Sequence, residues 1–184
     1  MSLSQLDADA ALIVIDMQKG IVALPTVHPI ADVTDNIAAL ARAFRKRGLP
    51  VILVNVTGRA PGRVEASFNF SPPADWAELI PELDRQPADY IVTKENISAF
   101  YGTALERILR RRGVTQVFLT GVATGSGVEA TARQAYDQGF NVVAVTDAMT
   151  DLDPEMHRHA VERVFPKIGE RALTAEVLGQ LGSA

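Results

Sequence analysis

The chain contains no cysteine. That absence excludes disulfides, cysteine-based zinc knuckles and any thiol nucleophile. Aromatic residues are sparse, at 6% with a single tryptophan, and only three histidines occur. Net positive charge is lacking as well. Lys+Arg number 18 against Asp+Glu 22, a formal charge of −4, which argues against nucleic acid or an anionic membrane as the main partner. No apolar run approaches the ~18 residues of a membrane span. The opening Met1-Ser-Leu-Ser-Gln-Leu-Asp-Ala-Asp is polar and acidic, unlike the basic start and apolar stretch of a signal peptide. A cytoplasmic location is the expectation, with neither membrane nor nucleic acid as partner.

What is present suffices for a core. The 184 residues are 47% hydrophobic and 22% charged, close to globular averages, and fit one domain over residues 1–184. Ala11–Ile15, Val51–Val56, Tyr90–Val92, Gln116–Thr120 and Asn141–Val145 are β-branched-rich and almost continuously apolar. Such runs suit strands buried on both faces of a parallel sheet. Arg171-Ala-Leu173 reads as a short edge strand.

Helices alternate with these runs. Ile30, Val33, Ile37, Leu40, Ala41 and Phe44 form one apolar stripe that ends before Gly48. Thr103-Ala-Leu-Glu106 has the form of a capping box that opens a helix stopping at Gly113. Val128–Gln138 predicts a third helix. Asp153-Pro154 predicts the start of a fourth, running through Val164, and a last one begins near Thr174. The expected architecture is α/β: a doubly wound, mostly parallel sheet of about six strands with helices on both faces. Thr57–Ala88 breaks the alternation. It is rich in Gly, Pro and aromatics, holds at most one short helix around Trp76, and has the length of a lid or binding loop.

Ligands of open parallel sheets bind outside the carboxyl ends of the strands. Asp16, Lys94, the Gly121–Gly127 loop and Asp147 fall at those ends. Desolvation after five apolar residues would raise the Asp16 pKa, and a neighbouring Lys94 ammonium would lower it. Opposed influences of this kind tune a carboxyl for proton transfer. Asp16 equally fits a cap on the turn that follows. The Gly121–Gly127 loop lacks the Gly-Lys-Ser/Thr ending of a P-loop. Its amides, at a helix N-terminus, suit an anion or an oxyanion, or the glycines serve a tight turn alone.

No metal site is expected. His157 and His159 lie two apart on a helix, His28 stands alone among prolines, and all three read as surface residues. The runs Arg45-Lys-Arg47 and Arg110-Arg-Arg112 close helices, where cations complement the dipole. Arg59 and Arg63 in the long loop are either carboxylate binders or solvated.

Ala11-Leu-Ile-Val-Ile-Asp-Met-Gln18, Lys94 with Ser98-Ala-Phe-Tyr-Gly-Thr103, and Gly121-Val-Ala-Thr with Val128-Glu-Ala-Thr-Ala-Arg133 together resemble the isochorismatase-like hydrolase superfamily. The similarity runs from Ala11 into Leu178, nearly the whole chain. It implies a site built from Asp16, Lys94 and the loop after the fourth strand, including a cis Val122–Ala123 peptide. In the cysteine-hydrolase branch that loop supplies a thiol nucleophile, and the matching position here is Gly127. The Asp-x-His metal site of nicotinamidases is missing, because Asn55–Ser71 contains no histidine. Isochorismatases resemble this chain in carrying glycine at the cysteine position while keeping the Asp and the Lys.

By that resemblance Asp16 protonates a vinyl ether, water attacks the resulting cation, and Lys94 binds charge. Gly127 completes the catalytic position. Gln18, Arg59, Phe100, Val122, Ala123, Thr124 and Ser126 are the candidate substrate contacts. No cofactor is implied, the partner is a small-molecule substrate, and the family habit suggests a homo-oligomer, a dimer or larger. The competing reading is a non-catalytic, ligand-binding relative that lost the nucleophile.

Overall fold

In the computed structural model, residues 3–65 and 72–183 are described. Six strands form one sheet: β1 (Ala10–Ile15), β2 (Val51–Val56), β3 (Tyr90–Lys94), β4 (Gln116–Val122), β5 (Asn141–Thr150) and β6 (Glu170–Ala172). The spatial order is β3-β2-β1-β4-β5-β6, and every neighbouring pair is parallel. The α-helices are α1 (Lys19–Val22), α2 (Ile30–Lys46), α3 (Leu105–Arg111), α4 (Glu129–Asp137), α5 (Pro154–His159), α6 (Phe165–Ile168) and α7 (Thr174–Ser183). Chain order runs outward from β1 to β3, then restarts beside β1 with β4. The switch point therefore lies between β1 and β4, where such sheets open a crevice at their carboxyl ends.

The period of two in β1 sorts the core into two layers. Leu12 and Val14 join Val33, Ile37, Leu40 and Phe44 of α2 and Val177 and Leu181 of α7 on one face. Ala11, Ile13 and Ile15 join Leu105 and Leu109 of α3, Ala132 and Ala135 of α4, and Phe165 of α6 on the other. All six residues of β1 are fully buried, as a central strand covered by helices on both sides requires. Each large apolar side chain so buried contributes ~1.5–3 kcal/mol. No described helix is long and apolar enough to cross a membrane.

Several elements depart from the sequence expectation. Strand β5 continues past Val145 to Thr150, because a register shift between Leu119 and Gly121 lets β4 pair again with Met149 and Thr150. Asp147 is therefore inside the strand, and its Oδ1 accepts hydrogen bonds from the Thr174 N–H (2.7 Å) and hydroxyl (2.8 Å) at the start of α7. The Val128–Gln138 helix begins earlier, with a wide π-type turn over Thr124–Val128 that leads into α4. The Pro154–Val164 helix changes to a π-type turn at Ala160–Val164, and Asp153 caps it as expected, accepting from the Glu155 and Met156 amides.

The capping box is half made: the Thr103 hydroxyl accepts from the Leu105 N–H at 3.1 Å, while Glu106 pairs with Arg110 on the next turn (3.7 Å). Trp76 lies in turns, and the short helix of the long loop is a 3-10 turn at Pro81–Leu83.

Candidate active site

Asp16 leaves β1 with φ +53°, a left-handed conformation that costs a side-chain-bearing residue ~1–2 kcal/mol. The turn is held on both sides: the Asp16 N–H donates to the Val54 carbonyl and the Gln18 N–H to the Asp16 carbonyl, both at 2.9 Å. This geometry aims the carboxylate past the end of β2 to the end of β3. There Lys94, 3% exposed, donates to Asp16 Oδ2 at 2.8 Å. The Lys94 ammonium also donates to the Asn96 and Ile97 carbonyls at 3.2 and 3.0 Å. Its three protons are thus all placed, and Lys94 acts on anything further through its charge alone.

Asp16 Oδ1 is the opposite case. It is buried and has no hydrogen-bond partner among the described residues. An unpartnered buried carboxyl oxygen is costly unless it carries a proton or meets a ligand. Burial pushes the Asp16 pKa up to about 6, against the lowering by the Lys94 charge and hydrogen bond. Lys94 pins one oxygen and leaves the other to take up a proton as pH falls toward about 6.

The β4 loop closes the third side. Gly121, with φ +112°, allows the turn, and a Cβ there would overlap the Ile15 carbonyl oxygen. Val122–Ala123 is cis. The Ala123 carbonyl accepts from the Ser126 and Val128 amides at 3.1 and 3.2 Å. Gly127 faces the ion pair: a Cβ built on it would stand 3.4 Å from Asp16 Oδ2 and 3.5 Å from Lys94 Nζ. Thr131 ties this loop to the segment after β3, donating to the Gly127 carbonyl (2.7 Å) and accepting from the Ala99 N–H (3.0 Å).

Asp16, Lys94 and Gly127 therefore converge, with Val122–Thr124 leading into the turn that carries Gly127, whereas other candidates stand elsewhere. Gln18 is fully buried, and its amide donates to the Val56 and Trp76 carbonyls (3.1 and 3.2 Å) while its oxygen accepts from the Val56 N–H (2.8 Å). Both amide protons are engaged in holding the long loop against β2, which leaves none for a substrate. The Phe100 ring, 5% exposed, stacks on Phe140 with centroids 6.1 Å apart and belongs to the core. Ser126 is exposed on the outer side of the turn, and Arg59 is exposed in the loop after β2.

A cavity beside the pair that draws on Phe100 and the long loop falls partly outside the described residues, at positions 66–71; Phe100 itself is turned into the core. Among the described residues an open cavity of about 410 Å³ lies at the amino ends of β4 and β5, beside Gln116 and Asn141.

Two features escaped the sequence reading. Asp151, 5% exposed, clamps the β4 loop by accepting from the Gly125 N–H at 2.6 Å. His28 and His157 are neither isolated nor fully solvated. Their rings meet edge to face at 4.6 Å, and His157 Nδ1 lies 2.9 Å from the Thr124 hydroxyl. A helical period placed His157 and His159 on different faces but carried no information about a partner so distant in sequence.

Comparison with known proteins bears on this geometry. Residues 10–177 match the isochorismatase domain model. The chain is 40% identical over 179 residues, 93% of each chain, to an uncharacterized isochorismatase family protein, YwoC, of Bacillus subtilis. It is 29% identical to the ureidoacrylate amidohydrolase RutB of Pseudomonas syringae, with 83% of this chain and 75% of the relative covered. It is 28% identical to an isochorismatase of Bacillus subtilis, covering 95% of this chain and 59% of the relative. A solved isochorismatase family protein from Burkholderia thailandensis superimposes with a TM-score of 0.89 at 40% identity, over 99% of this chain and all of that one.

Proposed function

The chain belongs to the isochorismatase family of hydrolases, and from that premise we propose that it hydrolyses a small carboxylate-bearing vinyl ether of the isochorismate type without a covalent intermediate. The carrying observation is the pairing of Gly127 with Asp16. At Gly127, beside the ion pair, no nucleophile stands, and the second oxygen of the Asp16 carboxyl lacks any partner among the described residues.

The acid form of Asp16 supplies a proton to the terminal vinyl carbon, and the ether oxygen stabilises the cation that forms. Water adds to the ether-bearing carbon of that cation and returns a proton to the Asp16 carboxylate. The resulting hemiketal breaks its carbon–oxygen bond, releasing the alcohol and pyruvate. A pKa pushed up to about 6 suits a group that must give and retake a proton near neutrality. Lys94 steadies the carboxylate between these steps and offsets charge on the substrate. Space freed by the missing side chain at Gly127 admits the substrate or the water to the pair.

Amide hydrolysis through an acyl-enzyme needs an activated nucleophile. The sequence has no cysteine, and the exposed Ser126 has no hydrogen-bonded base among the described residues. Incubation with isochorismate and, separately, with nicotinamide tests the choice. Pyruvate from the first and no ammonia from the second is the expected result. Ammonia without pyruvate would overturn the mechanism, and neither product would favour a ligand-binding relative.

A further inference from the structure

A second titratable cluster touches the same loop. His28, from the segment between α1 and α2, and His157, from α5, present half-buried imidazoles to each other with ring centroids 4.6 Å apart. Each Nδ1 is held by a buried threonine hydroxyl: His28 by Thr150 at 3.0 Å and His157 by Thr124 at 2.9 Å. The Thr150 oxygen already accepts the His28 backbone N–H at 3.1 Å, so its own proton is available to His28 Nδ1. A neutral imidazole whose Nδ1 accepts carries its proton on Nε2. Neither Nε2 has a partner among the described residues.

We propose that His28 and His157 form a carboxylate-binding subsite, one turn along the β4 loop from Gly127, that takes an acidic group of the substrate while Asp16 works on the reacting bond. His28, its Nδ1 accepting from Thr150, presents an Nε2–H donor, and His157 presents a second when Thr124 donates to its Nδ1 or when the ring is protonated; such donors match an anion. Met156, the chain neighbour of His157, lies against Gly125 of the same loop. The surroundings link this binding to protons. Burial and the nearby His28 hold His157 below its ordinary pKa, while the Asp151 carboxylate opposes them. Asp151 is committed to the Gly125, Leu152 and Asp153 amides and offers no further compensation. An arriving carboxylate favours the imidazolium and so raises the His157 pKa.

The subsite rests on the reading of this centre as one for a carboxylate substrate, but its test requires no turnover. The chain has three histidines, and exposed His159 is an internal control for ring resonances followed by NMR during titration with benzoate. His28 and His157 signals should shift saturably, with the His157 titration moving to higher pH and His159 unchanged. His28→Gln and His157→Gln should each weaken benzoate binding ~10-fold or more, since hydrogen bonds to a charged partner are the strong ones. Asp16→Asn should leave it intact, so lost pyruvate release with intact benzoate binding would indict the proposed reaction and not the subsite. No benzoate shift in the wild type, equal drift of all three histidines, or saturation by Zn²⁺ but not by benzoate would each overturn the proposal.

Discussion

Gly127→Cys places a thiol beside the Asp16–Lys94 pair. The added Cβ meets Asp16 Oδ2 and Ile15 Cγ2 at 3.4 Å and Lys94 Nζ at 3.5 Å, ordinary van der Waals contact. Gly127 is not among the positive-φ glycines, so a side chain imposes no backbone strain and the variant should fold. The Lys94 ammonium and the turn leading into α4 both favour a thiolate there. Asp16 opposes them only when ionised, and with a pKa of about 6 it is partly neutral under mildly acidic conditions.

At pH ~6 a free thiol of pKa ~8.5 is roughly 0.3% thiolate, whereas one lowered to ~7 is roughly 9%, a gain of ~30-fold. Lower basicity costs about 5-fold in intrinsic nucleophilicity, leaving alkylation ~6-fold faster. The rate of iodoacetamide labelling against pH reads this directly, with thermal melting to establish that the variant is folded. A folded protein whose thiol titrates near pH ~8.5 would refute the placement of Gly127 beside the pair.

Gly121→Ala should behave differently, because its Cβ would overlap the Ile15 carbonyl oxygen at a φ of +112°. A melting experiment should show a loss of ~3 kcal/mol or more, of the size seen when a strained, overpacked site is forced. Lys94→Met leaves Asp16 buried without its cation and should cost ~3–5 kcal/mol at pH ~8. That loss should shrink on acidification. Asp16 titrates above its unfolded value even in the wild type, so its contribution is fully present below pH ~4 and declines as pH rises through the folded pKa; denaturant midpoints at pH 5 and 8 test the sign. Ser126→Ala, on the exposed side of the turn, should retain wild-type turnover, and a loss above ~10-fold would point to a serine nucleophile.

The sequence disclosed those parts of the site that local chemistry specifies. Five apolar residues followed by Asp16, and the short strand before Lys94, are sufficient to place two charges at carboxyl strand ends. The parallel order then brings them within 2.8 Å. What stayed hidden depends on contacts between distant segments. A register shift opposite Gly121 lengthens β5, so the acid at the rim is Asp151 and not Asp147, although both follow plausible strand residues. Gln18 sits beside Asp16 in the motif but turns to the Val56 backbone, a choice fixed by where the long loop crosses. Phe100 shares a motif with the site yet finds Phe140 in the core. His28 and His157 meet only because α5 folds back over the segment before α2, and no periodicity within either segment records that encounter.

The most direct measurement is the rate of pyruvate release from isochorismate as a function of pH, for the wild type and for Asp16→Asn. If the acid form of Asp16 donates the proton, kcat/KM is level below pH ~6 and falls ~10-fold per pH unit above it, while Asp16→Asn loses ~10²–10⁴-fold. A wild-type rate that climbs through pH ~6, or an Asp16→Asn enzyme as active as the wild type, would contradict proton transfer from Asp16.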